Sequence, residues 1–213
     1  MKTANSLTIA PSAFCTQGIK ISFESDQKKL KEKLSKTELA HFLELYLQAE
    51  ENPKAALPKA LAFSETHPDL PQLSNLLTYL YIRLKKVKKA NQWIEESYKR
   101  HPDYFIAKIN YADLLLRRKQ FKKIPPLFGG VFDLNVLYPE KTEFHYSEFR
   151  GYIVAMGFYH HAIAEHALAL ECYRLAVLAD PHHPSLLSLE KKVFRLSPLK
   201  KILKALPFCR HIN

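Results

Sequence analysis

Residues 67–103 read HPDLPQLSNLLTYLYIRLKKVKKANQWIEESYKRHPD, and the tripeptide His67-Pro68-Asp69 that opens the stretch closes it again as His101-Pro102-Asp103, an interval of 34 residues. Between the two, Leu70, Leu73, Leu76, Leu77, Leu80 and Leu84 stand at i, i+3, i+4, i+7 spacing. That spacing predicts an amphipathic helix with one apolar stripe. Pro71 falls in its first turn, where a missing N–H costs nothing. Ala90, Trp93, Ile94 and Tyr98 then share one face of a second helix, and the small Ala90 lets the two helices approach closely. Self-similarity at this period marks a helix-turn-helix repeat. Each such pair leaves an apolar side that only the next pair can cover.

Further along, Leu137-Tyr138-Pro139 and Asp180-Pro181 continue the series of helix-ending prolines at spacings of 37 and 42 residues. On these residues the chain resembles the tetratricopeptide repeat family, whose pattern runs W-x2-L-G-x2-Y, then A-x3-F, then P. The best match, over 150–183, is Ile153-x2-Met156-Gly157-x2-His160, followed by Ala169-x3-Tyr173, Val177 and Pro181. Over 71–104 it is Ser74-x2-Leu77-Thr78-x2-Tyr81, then Ala90-x3-Ile94, Ser97 and Pro102. Over 37–70 it is Leu43, Ala56, Ala60, Phe63 and Pro68. The resemblance implies an all-α fold, a right-handed superhelical solenoid of about four helix-turn-helix units. No unit has the leading Trp. The third unit starts with a clean helix from Tyr104 to Arg118, but Pro125-Pro126 and Gly129-Gly130 break its second half. A short helical turn and a longer loop are expected over 120–145, packed back on the repeats by Phe121, Leu127, Phe128, Val131 and Phe132.

The expected organisation is an N-terminal extension over 1–35, a repeat domain over 36–183 and a cap with a basic tail over 184–213. The repeats run about 37–70, 71–104, 105–139 and 145–183. Within the extension, Gly18 to Phe23 alternates like a short strand, and Thr37 is the expected N-cap of the first repeat helix. In the tail, Leu199, Ile202, Leu203 and Leu206 oppose Lys200, Lys201 and Lys204. That pattern suits a capping helix or a weak contact with a membrane surface.

Composition narrows the function classes. The chain has 213 residues, 47% hydrophobic and 25% charged, with five glycines placed so that no dinucleotide or P-loop phosphate fingerprint is formed. No apolar run reaches the roughly 18 residues of a membrane span. Three cysteines at 15, 172 and 209 give neither a disulfide framework nor a metal clip, which favours a reducing cytoplasm. The net charge of +11 is unevenly placed: residues 1–82 are neutral, 83–123 hold thirteen basic against four acidic residues, 124–190 three against eight, and 191–213 seven against none.

No catalytic constellation is visible, and no cofactor or metal is expected. His160, His161 and His166 lie near Glu165 without the H-E-x-x-H spacing, and five residues along one helix would turn His161 and His166 about 140° apart. Cys172 reads as a core thiol and Gly157 as a packing residue. Cys209 and His211 share the tail with nothing to orient them as a pair.

Family resemblance implies instead a concave groove that binds a peptide of a protein partner, as in an adaptor or chaperone-like scaffold. Its groove positions fall on Asn75, Tyr79 and Arg83, on Asn110, Asp113 and Arg117, and on Phe158 and His161. Arg83 and Arg117, 34 apart, offer guanidinium forks suited to carboxylates of an acidic peptide. Members that clamp the C-terminal carboxylate of heat-shock chaperones place Lys and Asn where Asn75 and Tyr79 stand, so that clamp is not expected here. The alternative is nucleic acid, RNA above all, held on a basic ridge of Lys85, Lys86, Lys88 and Lys89 with Arg118, Lys119, Lys122 and Lys123. A solvated helix face accounts for the same lysines.

Overall fold

Each His-Pro-Asp motif ends one helix and starts the next in the same way. His67 (φ −131°, ψ 58°) and His101 (φ −130°, ψ 62°) cap their helices with near-identical backbone angles. Their N–H groups donate to the carbonyls of Phe63 and Ser97, four residues back, and their own carbonyls accept from Leu70 and Tyr104. Opposite turns repeat as well: Lys85 (φ 56°) and Lys119 (φ 58°) are both left-handed, again 34 residues apart. The sequence period is therefore a structural one.

The computed structural model describes residues 6–24 and 28–195. Among these residues the elements are β1 (Ser6–Ile9), β2 (Ile19–Ser22), α1 (Lys28–Lys33), α2 (Lys36–Glu51), α3 (Pro53–Thr66), α4 (Pro71–Arg83), α5 (Val87–Arg100), α6 (Phe105–Arg117), α7 (Ile124–Leu127), α8 (Leu134–Leu137), β3 (Glu143–His145), α9 (Tyr146–Ala162), α10 (His166–Ala179) and α11 (Pro184–Arg195). A 3-10 turn, Phe121–Lys123, precedes α7. The architecture is a mostly helical repeat. It divides into two compact units, residues 24–118 and the chain on either side of them, up to 23 and from 119 onward.

In the 24–118 unit the helices alternate as inner (α2, α4, α6) and outer (α3, α5) members of successive pairs. Leu70, Leu73, Leu76, Leu77 and Leu80 are buried as their spacing requires, with Ala90 and Ile94 of α5 packed opposite. Small Ala49, Ala56 and Ala60 lie fully buried where α2 and α3 meet. The Ser74 carbonyl accepts from both Thr78 Oγ1 (3.0 Å) and Trp93 Nε1 (3.1 Å), so the indole ties α5 to α4 by a polar contact inside an apolar seam. The N-cap of α2 is Ser35, not Thr37. Glu38 is the N3 partner of a full capping box: Ser35 Oγ accepts from the Glu38 N–H, and the Glu38 carboxylate accepts from the Ser35 N–H (2.8 Å). The same carboxylate reaches His67 Nε2 at 3.2 Å, joining the start of α2 to the end of α3.

The other unit is built on α9, α10 and α11. Gly157 sits where the three helices meet: a Cβ there would lie 2.8 Å from Leu189 Cδ2 and 3.1 Å from Cys172 Cβ. This bears out the packing role, as full burial of Cys172 bears out the core thiol. Here the sequence reading was incomplete. The strand expected near 18–23 is the centre of a three-stranded sheet, antiparallel to β1 and parallel to β3, with Lys20 opposite Glu143 and Ile21 opposite Phe144. Gly18 (φ 74°) returns the chain so tightly that a Cβ would come within 2.8 Å of the Ile9 carbonyl. The stretch after α6 is likewise more than one turn and a loop, since it holds α7, α8 and β3 and buries Ile124, Phe128, Leu134 and Phe144. Residues 12–18 dock on it through Leu134 N–H to the Phe14 carbonyl (2.8 Å), Thr16 Oγ1 to Asp133 (2.5 Å) and Gln17 N–H to Asn135 Oδ1 (3.0 Å). α11 supplies the expected cap, while Leu199 to Leu206, Cys209 and His211 lie outside the described residues.

Two stability outcomes follow from this packing. Lys85→Gly should stabilise the 24–118 unit by about 1 kcal/mol, since only glycine adopts the left-handed turn without strain. Gly157→Val should destabilise its unit by about 2 kcal/mol or more, because Leu189 and Cys172 leave no room for it. Chemical denaturation monitored by circular dichroism measures both, and a neutral Gly157→Val would refute the close contact.

Candidate functional site

The inner helices α2, α4 and α6 share a face, and across it runs a ladder of polar side chains. Tyr46 of α2 donates its phenol to the Gln72 carbonyl at 3.1 Å, beside the Asn75 amide of α4. Asn110 of α6 donates Nδ2 to Asn75 Oδ1 at 3.3 Å. Burial pushes the Tyr46 phenol up to about 12. Around this ladder lies a depression of about 250 Å³ lined by Tyr46, Glu50, Asn75, Thr78, Tyr79, Ile82 and Asn110. Ile82, 57% exposed, gives it an apolar wall with no packing role. Side-chain amides present a donor and an acceptor in one plane, as a peptide backbone does. The floor can therefore hydrogen-bond an extended chain whatever its sequence.

Of the candidates drawn from the sequence, Asn75, Tyr79 and Asn110 line the depression directly. Arg83 lies at its edge, donating Nη1 to the Tyr79 hydroxyl (2.5 Å) and Nη2 to the Glu50 carbonyl (3.3 Å), with its guanidinium 5.6 Å from the Tyr79 ring centre. Its hydrogen-bond partners are neutral, and it makes no ion pair among the described residues. Arg117 differs, being paired with Asp113 at 2.9 Å and donating to Asn91 Oδ1 at 2.9 Å. Arg118 is paired with Glu95. The two arginines 34 apart are thus equivalent in sequence and unequal in charge.

Phe158 and His161 belong to α9, in the other compact unit, and do not line this depression. The expected 140° separation of His161 and His166 assumed one continuous helix. α9 ends at Ala162 and Ala164 turns left-handed (φ 66°), which brings the two rings to 6.0 Å. His160 points elsewhere: it is buried among Phe14, Phe132 and Tyr159, with Nδ1 2.6 Å from Glu165. Among the described residues no three His, Cys, Asp or Glu side chains are grouped as a metal site.

Lys85, Lys86, Lys88 and Lys89 are exposed at the α4–α5 turn, and none has an ion pair among the described residues. Lys119, Lys122 and Lys123 are exposed too and belong to the other unit. Sequence reasoning missed Tyr46, Glu50, Thr78 and Ile82. Ile82 carried a legible signal, because it lies outside the apolar stripe of α4 yet is apolar. Tyr46 did not, since the 37–70 repeat matches the family pattern at its packing positions only.

No protein-family model matches the sequence, and no curated protein matches it either. Among solved structures it is similar to MamA residues 41 to the end from Desulfovibrio magneticus RS-1, with a TM-score of 0.51 and 15% identity, over 80% of this chain and 91% of that one. A MamA RS-1 double mutant superposes with a TM-score of 0.46 and 15% identity, over 81% and 99% of the two chains. MamA is a tetratricopeptide-like helical repeat protein. The fold here is of that class, and no helix among the described residues is long and apolar enough to cross a membrane.

The buried phenol makes the site pH-sensitive in one direction. With its folded value at about 12 against 10 for an ordinary tyrosine, Tyr46 contributes stability that is intact below pH 10 and lost as the pH rises through 12. Denaturant midpoints measured from pH 9 to 12 should fall less steeply for Tyr46→Phe than for the wild type.

Proposed function

We propose that the 24–118 unit is a non-catalytic adaptor that holds an extended peptide of a partner protein against α2, α4 and α6. The supporting observation is the depression itself, with amide side chains on its floor and the exposed Ile82 on its wall. Arg83, which makes no ion pair among the described residues, gives this face a preference for a peptide carboxylate at the Tyr79 end. Arg117 adds little, because Asp113 already neutralises it. The cysteine spacing suits work in the cytoplasm, where buried thiols such as Cys15 and Cys172 stay free.

A peptide-display selection against the full chain tests this. Selected peptides should bind at least about tenfold more weakly, or about 1.4 kcal/mol, to Ile82→Glu and to Asn75→Arg. Arg83→Glu should weaken acidic peptides more than Arg117→Glu does, while Lys59→Glu on the outer helix α3 should change nothing. Peptides that ignore all three groove substitutions would place the binding surface elsewhere.

A further inference from the structure

The turns inside the second and third repeats carry a charge pattern their geometry does not require. Arg83-Leu84-Lys85-Lys86-Val87-Lys88-Lys89 and Arg117-Arg118-Lys119-Gln120-Phe121-Lys122-Lys123 align at 34 residues, with the Arg and three of the lysines kept in place. Lys85 and Lys119 hold left-handed φ values of 56° and 58°, a conformation in which any Cβ is strained. Ala164 makes the same turn before α10 with no cation, and the N-cap that follows it is Glu165. The corresponding N-cap of α5 is Lys86, which makes no side-chain cap. Lys88 and Lys89 then occupy the first turn of α5, where there is no acid and the helix dipole opposes positive charge.

These lysines receive nothing back from the fold. All are exposed, and none has a carboxylate partner among the described residues. Departures from local rules with no internal compensation concentrate at functional sites. The chemistry of the free cations is also selective. Arg117 and Arg118 are held by carboxylates within the chain, and Arg83 is turned to the groove by the Tyr79 hydroxyl and the Glu50 carbonyl, so none of the three adds a free guanidinium to the lysine turns. What remains are lysine point charges, suited to phosphate oxygens.

We propose that the lysine turn at 85–89, and separately the one at 119–123, each bind the phosphate backbone of single-stranded nucleic acid without reading its bases. A flexible strand presents one phosphate per nucleotide and can serve each turn independently. A membrane surface fits less well, because Val87 at 60% exposure is the one large apolar side chain the 85–89 turn offers for insertion. The proposal does not rest on the peptide groove, whose residues it does not use.

The test is fluorescence anisotropy of a labelled oligouridine of about 20 nucleotides with the full chain, over about 50 to 300 mM KCl. The four lysines of the 85–89 turn contacting phosphates give a slope of log affinity against log salt of about −3, and the three of the 119–123 turn, acting separately, about −2. Replacing Lys85, Lys86, Lys88 and Lys89 together by Gln should leave only the slope of about −2 and weaken binding at least tenfold at the lowest salt. Lys54→Gln with Lys59→Gln on α3 should leave the slope unchanged, as should Lys200, Lys201 and Lys204 changed to Gln. The proposal is overturned by an equal loss in the α3 or C-terminal variants, which means diffuse or tail-borne charge. It is overturned equally by oligouridine that fails to bind, whether or not phosphatidylserine vesicles or polyglutamate bind in its place.

Discussion

In the pairs α4–α5 and α9–α10 a single left-handed residue reverses the chain between the two helices. At Lys85, Lys119 and Ala164 the backbone leaves the right-handed region for a single left-handed step, so that the following segment starts at a fixed angle to the helix before it. Within 24–118 the reversal after α4 returns α5 along the outer side, and the His-Pro-Asp turn brings α6 back to the inner side. Every inner helix therefore shows the same edge of its cylinder to the same side. The ladder from Tyr46 through Asn75 to Asn110 exists because α2, α4 and α6 lie side by side on that inner face.

The same unit thus has two surfaces of opposite character. On the inner helices, polar atoms are half-satisfied by one another, Glu50 lines the depression, and Arg83 at its edge is pinned by a phenol and a carbonyl. At the turn a few residues away, lysines stand in water with no partner among the described residues. The first arrangement orients a ligand by hydrogen-bond geometry. The second attracts one by charge alone, and salt weakens it most. Charge density along the sequence could not separate these roles, since Arg83 and Lys85 lie two residues apart in the same basic block.

Much of the fold was legible because it repeats. The leucine stripe of α4, the small residues at helix crossings and the proline after each outer helix report local geometry that a 34-residue period makes recognisable. The sheet was hidden for the opposite reason: β2 finds its parallel neighbour β3 more than a hundred residues away, and a three-residue edge strand has no periodicity to detect. The α2 N-cap was misplaced by two residues because Ser35 and Thr37 are equally good caps in isolation, and only Glu38, three beyond Ser35, decides between them. Groove positions on α4 and α6 were found through the repeat. Those on α2 were not, and pairing of Arg117 with Asp113 needed side-chain positions that no spacing rule supplies.

Docking of residues 12–18 and pairing of Lys20 with Glu143 impose an order on synthesis. β2 meets its parallel neighbour β3 only 123 positions later, after the whole 24–118 unit has been made. At about 5 to 20 residues per second, the nascent chain carries Ile9, Phe14, Ile19 and Ile21 uncovered for roughly 6 to 25 seconds. The inserted repeats can fold meanwhile, because both halves of each complete pair are already present. The unit that holds β2 closes only after the inserted repeats have been made, and until then the strand is available to chaperones or to neighbouring chains.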